Sequence, residues 1–159
     1  MNNIMENQIG LPKDYADIIV GKLNALLSNV QIFYINVRGF HWNITGKQFF
    51  LLHAKFEDLY NSLNDKADEI AERILMLESI PVHSFSKYLK LAKIQEKEGI
   101  CTAEETVKEV LNSLKLLLKE EREIVSMASS AGDDGTVDLI TGFIDEQEKM
   151  VWMYSAYSG

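Results

Sequence analysis

"RGFHWNITGKQFFLLH", residues Arg38 to His53, holds two of the chain's three histidines and the break that decides the fold. Upstream, Ile19, Leu23, Leu26, Val30, Phe33, Val37 and His41 recur at spacings of three and four, which marks one apolar face of a helix. Downstream, Phe49, His53, Phe56, Tyr60, Leu63, Ala67, Ile70, Ile74 and Leu77 repeat that pattern. Between the two runs Asn43, Thr45 and Gly46 supply turn chemistry. The stretch therefore predicts two amphipathic helices joined by a turn. The first opens after Pro12, and the second starts near Lys47 and ends by Pro81. Each histidine occupies a stripe position where a helix core would ordinarily take leucine.

The remainder of the chain extends the pattern. Residues Pro81 to Thr102 form a long connector, within which "SFSKYLKLAKIQE" can make a short helix capped by Ser84 or Ser86. Thr102 and Glu105 have capping-box spacing and open a third long helix, carried by Val107, Val110, Leu114, Leu117, Ile124 and Met127 to about Ser130. "AGDDG" is a turn, and a fourth helix runs from about Thr136 to Tyr157 with Ile140, Phe143, Val151 and Tyr154 inward. Four long helices with one long crossover, bearing a short extra helix, predict an all-α, ferritin-like four-helix bundle. There is no internal repeat, and residues 1–159 read as a single domain.

Composition narrows the function. A formal net charge of −8 argues against a surface built to neutralise phosphate backbones, and it favours the gathering of cations. The lone cysteine, Cys101, excludes an internal disulfide and reads as a small buried or helix-flanking residue in a reducing compartment. The opening "MNNIMENQIG" has no basic patch followed by an apolar run, so no signal peptide is expected. Nor does any uninterrupted apolar stretch approach the ~18 residues of a membrane span. The expectation is a soluble, cytoplasmic protein.

The candidate chemistry lies on the second helix and the end of the first. "ADEIAER" sets Asp68 and Glu72 four residues apart on one helical face, where they repel unless solvated, bridged by a cation or relieved by Arg73. His53 and Asp68 are fifteen residues apart, so a rigid helix separates them by roughly 22 Å. They meet only if two copies of this helix pack antiparallel across a two-fold axis near Asn61 to Leu63. Each of the two resulting sites would take His41 and His53 from one chain and Asp68 and Glu72 from the other. Two imidazoles and two carboxylates suit Fe(II), Zn(II) or Mn(II), and the absence of thiolate departs from closed structural zinc sites. Glu57, one turn beyond His53, could add a carboxylate. The bland alternative is a pair of satisfied core histidines beside a solvated acidic face.

"HWNITGKQFFLLHAKFEDLY" followed by "DEIAER" resembles the signature of the Dps miniferritins, the DNA-binding proteins from starved cells, and the resemblance runs over essentially the whole chain. It implies hollow twelve-subunit shells that oxidise Fe(II), preferably with hydrogen peroxide, store the ferric mineral and protect against oxidative damage. It implies His41 and His53 as iron ligands from one subunit, Asp68 and Glu72 from its two-fold partner, and Glu57 as a further acid, with at most two irons per site. Trp42 matches a tryptophan thought to intercept radicals, with plain packing as the alternative. "GDDGTVD" places Asp134 and Asp138 where the family has acidic iron-uptake pores. The same residues also suit a helix start, with Asp134 as N-cap and Asp138 in the first turn. An acid common about a turn earlier in the family stands here as Ser129.

The chain has no Glu followed three residues later by His, the motif of in-bundle di-iron sites. The rival readings are a nucleoid protein with secondary metal sites and a purely structural helical oligomer. DNA binding in this family usually uses Lys/Arg-rich tails, and neither the residues before Pro12 nor "AYSG" carries one, so DNA binding is expected to be weak or absent.

Overall fold

The first long helix, α1, spans Lys13–Asn43 and buries every one of its seven stripe residues, His41 included. The computed structural model describes residues 5–159. Met1 to Ile4, part of the stretch read above for a signal peptide and a basic tail, lie outside the described residues. α2 spans Phe49–Met76 without interruption, two residues later than its expected start. α3 is Phe85–Leu91, α4 Ala103–Ala131 and α5 Asp134–Ser158. Among the described residues there is no strand, only an isolated bridge between Glu6 and Pro12.

α1 packs along α2 and α4 along α5, with α1 also against α4 and α3 across α1. Phe33, Leu23, Leu26, Phe56, Ile70, Val110, Leu114, Leu117 and Ile140 fill the space between the four long helices with no measurable exposure. This is the all-α, ferritin-like bundle predicted from the sequence. α1 contains a window long and apolar enough to cross a membrane, which the run-length reading missed. Its apolar stripe is spent on the bundle core instead.

The crossover holds to α1 through asparagines that periodicity could not reveal. Asn24 Oδ1 accepts from the Val82 amide at 2.8 Å, and Asn29 Oδ1 accepts from the Lys93 and Ile94 amides at 2.8 and 2.9 Å. Asn36 Oδ1 takes the Lys97 amide at 2.9 Å while its Nδ2 donates to the Gln95 carbonyl at 2.8 Å. Irregular backbone thus finds partners on a helix side rather than in a ladder. Ser84 stands at the N-cap position of α3 but gives no side-chain cap bond.

Two helix starts repay comparison. Thr102 caps α4 as expected: its hydroxyl accepts from the Glu105 amide at 3.3 Å and donates to the Glu105 carboxylate at 2.6 Å. α5 differs. Its N-cap is Asp133, not Asp134, and the Asp133 carboxylate accepts from the Thr136 amide at 3.0 Å. Gly132, in the left-handed region at φ 73°, ends α4 and turns the chain so that Asp133 points inward. Arg73 is bound to this cap at 2.6 Å and to the Thr136 hydroxyl at 2.9 Å. It is therefore not the neutraliser of Asp68 and Glu72 that sequence spacing allowed.

The bundle also buries polar groups midway along its length. Lys66 on α2 is enclosed and pairs with Glu146 on α5 while donating to Ser62 Oγ at 2.8 Å. Gln147 Nε2 donates to Glu121 Oε1 at 2.6 Å. Burial pushes the Glu121 carboxyl up to about 7, against the opposing pull of the Gln147 bond and of Lys66 and Arg122.

Candidate metal centre

The two histidines meet at the end of the bundle where α1 gives way to α2. The turn is made at Gly46, whose φ of 96° no ordinary side chain adopts comfortably. His41 sits in the last turn of α1 and His53 in the second turn of α2. Their rings stack at 3.8 Å between centroids, inclined by 17°. Phe49 covers the far face of His53 at 5.0 Å, and Tyr60 meets His41 edge-on at 5.3 Å.

The hydrogen bonds are reciprocal. His41 Nδ1 lies 2.7 Å from the His53 carbonyl, and His53 Nδ1 lies 2.8 Å from the His41 carbonyl. A carbonyl oxygen can only accept, so each Nδ1 carries the proton and donates. Each Nε2 is then the lone-pair nitrogen of the neutral ring, and no described residue hydrogen-bonds either one. Locking one ring nitrogen to a carbonyl is how proteins orient imidazoles as metal ligands.

The carboxylates stand elsewhere. Glu57 is exposed one turn beyond His53, and Asp68 and Glu72 are exposed farther along α2. Because α2 is continuous helix from Phe49 to Met76, the roughly 22 Å between His53 and Asp68 stays fixed. Among the described residues no group of three His, Cys, Asp or Glu side chains gathers to hold a metal within one chain. The structure thus brings His41 and His53 together and leaves Asp68 and Glu72 on an open face. The donor types, two imidazoles and carboxylates without thiolate, suit Fe(II), Zn(II) or Mn(II).

Trp42 is 59 % exposed beside this cluster, with the Arg38 guanidinium 5.1 Å from its ring. Sequence reading missed Arg38, Tyr34 and Tyr60 as neighbours of the histidines. The i, i+4 spacing of Tyr34 and Arg38 and of Arg38 and Trp42 was the available signal. Asp134 and Asp138 are both exposed on the opening turns of α5, and Ser129 is exposed near the end of α4. The apolar groove between α2 and α5, lined by Leu51, Leu59, Met150, Met153 and Tyr154, holds no histidine and lies apart from this chemistry.

Comparison with known proteins separates a generic bundle from a specific one. Residues 20–159 match the ferritin-like domain. The chain is 45% identical over 158 residues to the DNA protection during starvation protein of Porphyromonas gingivalis, covering 99% of each. It superposes on the crystal structure of the Dps protein from Vibrio cholerae O1 with a TM-score of 0.96 and 45% identity over all of both chains. The chain belongs to the Dps family of ferritin-like proteins. The Vibrio protein is described as a member of a broad superfamily of ferritin-like diiron-carboxylate proteins. A Dps protein from Bacillus brevis is a more distant relative, with a TM-score of 0.89 at 32% identity, covering 92% of this chain and 98% of its own. The Dps fold therefore holds well beyond the range of close sequence similarity.

Proposed function

We propose that this Dps-family protein is a ferroxidase that oxidises Fe(II), preferably with hydrogen peroxide, and stores the ferric product. The observation that carries the reading is the reciprocal Nδ1 bonding of His41 and His53, which leaves two Nε2 atoms without a hydrogen-bond partner among the described residues. Each site is completed by Asp68 and Glu72 of a second copy, with Glu57 adding a carboxylate beside His53. Iron is substrate and cargo here, and two irons fill each site at most. Two Fe(II) ions give one electron each to one hydrogen peroxide. The O–O bond breaks, two protons are taken up and two waters result, so no one-electron fragment need be released.

The protein's own residues do the rest. His41 and His53 hold Fe(II), and the carboxylates favour the ferric product. Trp42, at the edge of the cluster, is placed to absorb a stray oxidising equivalent. Twelve copies form a hollow shell that keeps the mineral, each copy a single ferritin-like domain working in the cytoplasm. Asp134 and Asp138 on the opening turns of α5 line acidic uptake pores, and Ser129 in place of a further acid weakens their pull. Anaerobic addition of Fe(II) followed by peroxide is expected to give a rapid rise in ferric absorbance with no burst of spin-trapped hydroxyl radical. Oxidation no faster than in buffer alone would reject the reading.

Strong DNA binding is not part of this proposal, despite the names that relatives carry. At −8 per chain, and with no Lys or Arg before Pro12, the electrostatic term that drives backbone binding is unfavourable. A gel-shift at low salt without magnesium is expected to leave the DNA free. A tight complex there would return the nucleoid-binding alternative to first place.

A further inference from the structure

Of the chain's three arginines, Arg73 meets Asp133 and Arg122 meets Glu148. Arg38 meets no carboxylate among the described residues. Its guanidinium is caged by aromatic rings, with Cζ 5.1 Å from Trp42, 5.6 Å from Tyr60 and 5.7 Å from Tyr34. Nη1 donates to the Tyr34 hydroxyl at 2.8 Å, and Nε is enclosed with no acceptor. A guanidinium offers five N–H donors in a planar fork suited to a carboxylate, so one hydroxyl leaves it poorly matched. The rings attract the charge but cannot accept the enclosed Nε–H, and this guanidinium sits three residues from His41.

Register supplies the counter-charge. On α2, His53, Glu57, Asn61, Asp65, Asp68 and Glu72 follow one another at spacings of four and three, along one face. An antiparallel copy related by an axis between Ser62 and Leu63 sets His53 opposite Glu72, Glu57 opposite Asp68 and Tyr60 opposite Asp65. Arg38 packs over Tyr60 and so lies at that same level. Of the acids nearest that level on this face, Asp68 is taken by the proposed metal site, and Asp65 is exposed and makes no ion pair among the described residues.

We propose that Arg38 of each chain docks the carboxylate of the partner's Asp65, forming two symmetric ion pairs that set the register of the two-fold beside the metal centre. The inference rests on the antiparallel pairing of the proposed function. It assigns to Arg38 a positioning role, acting on the metal site through the placement of the second copy.

The two-fold makes the test sharp. An Arg38→Glu chain sets two acids against each other in its own dimer, and an Asp65→Arg chain sets two arginines. Mixed with each other, the two variants form a dimer in which both contacts join opposite charges. Each variant alone is expected to need about tenfold more protein to stay assembled, read by sedimentation and native mass spectrometry. The mixture, and the double variant Arg38→Glu/Asp65→Arg, should return to the parent's behaviour. Should Arg38→Glu lose its helical circular dichroism alone, co-expression with Asp65→Arg and the double variant give the same reading.

Rescue by the double variant but not by the mixture would place the contact inside one chain and overturn the proposal. So would no rescue by either, or single variants that assemble as the parent does. If iron oxidation still depends on His53 and Asp68 when rescue fails, the Arg38 contact alone is lost. If that dependence fails too, the pairing itself is wrong.

Discussion

His53→Ala subunits reassembled with Asp68→Ala subunits are expected to oxidise Fe(II) again, although neither variant does so quickly alone. Each variant by itself should be slower than the parent on the order of a hundredfold, since a ligand is missing from every site. In a mixed two-fold dimer the two defects fall in the same site. The other site then receives intact imidazoles from one chain and intact carboxylates from its partner. With random pairing about a quarter of all sites are whole, so stopped-flow ferric absorbance should recover about a quarter of the parent's initial rate. The prediction follows from the length of α2, which runs unbroken from Phe49 to Met76 and cannot bring its own two ends together. A mixture no faster than its components would show that each site draws all its ligands from one chain. Assembly is expected to survive both substitutions, because neither touches a core residue.

The largest loss of stability is expected from Asp133→Ala. This carboxylate accepts from Arg73 at 2.6 Å, from the Tyr15 hydroxyl at 2.8 Å, and from the amide and hydroxyl of Thr136 at 3.0 and 2.6 Å. Its side chain is 1% exposed and that of Arg73 12%. Truncation strips the cap from α5 and leaves a mostly buried guanidinium without its partner, a class of change that costs about 3–5 kcal/mol. A chain of this size should lose roughly 10 °C in Tm.

The pH dependence has a definite sign. Burial alone would raise the Asp133 carboxyl. The hydroxyl and amide of Thr136, the Tyr15 hydroxyl and the Arg73 charge outweigh it and hold the group below its ordinary value of 3.8. The unfolded chain then takes up this proton before the folded one does. The stabilisation is complete above about pH 4 and drains away as pH falls toward the lower folded value. Acid unfolding should therefore be shallower in Asp133→Asn, which is destabilised at neutral pH but no longer titrates. An acid limb identical to the parent's would contradict the assignment.

The stripe that includes His41 and His53 could be read because a helix repeats every 3.6 residues and leaves that period in the sequence. The capping box at Thr102 could be read for a similar reason, since its partners lie three residues apart. Asp133 could not be told from Asp134, because either aspartate can cap and only the left-handed turn at Gly132 decides which one faces inward. The partner of Arg73 could not be read either, because Asp68 and Glu72 are its neighbours along the chain while Asp133 is its neighbour in space. The asparagines that tie down the crossover left no such trace, and of the cage around Arg38 the i, i+4 spacing marks Tyr34 and Trp42 but not Tyr60.

The sequence by itself determined the four-helix class, the crossover, and the separation of imidazoles from carboxylates along one helix, since each depends only on local geometry and spacing. Tertiary structure alone decided that both histidines give Nδ1 to each other's carbonyl and keep Nε2 free. It alone decided that Arg73 locks the start of α5, and that Arg38 is caged by rings with no acid beside it among the described residues. Those outcomes depend on which side chains converge once the helices pack, and sequence spacing carries no record of contacts between residues far apart in the chain.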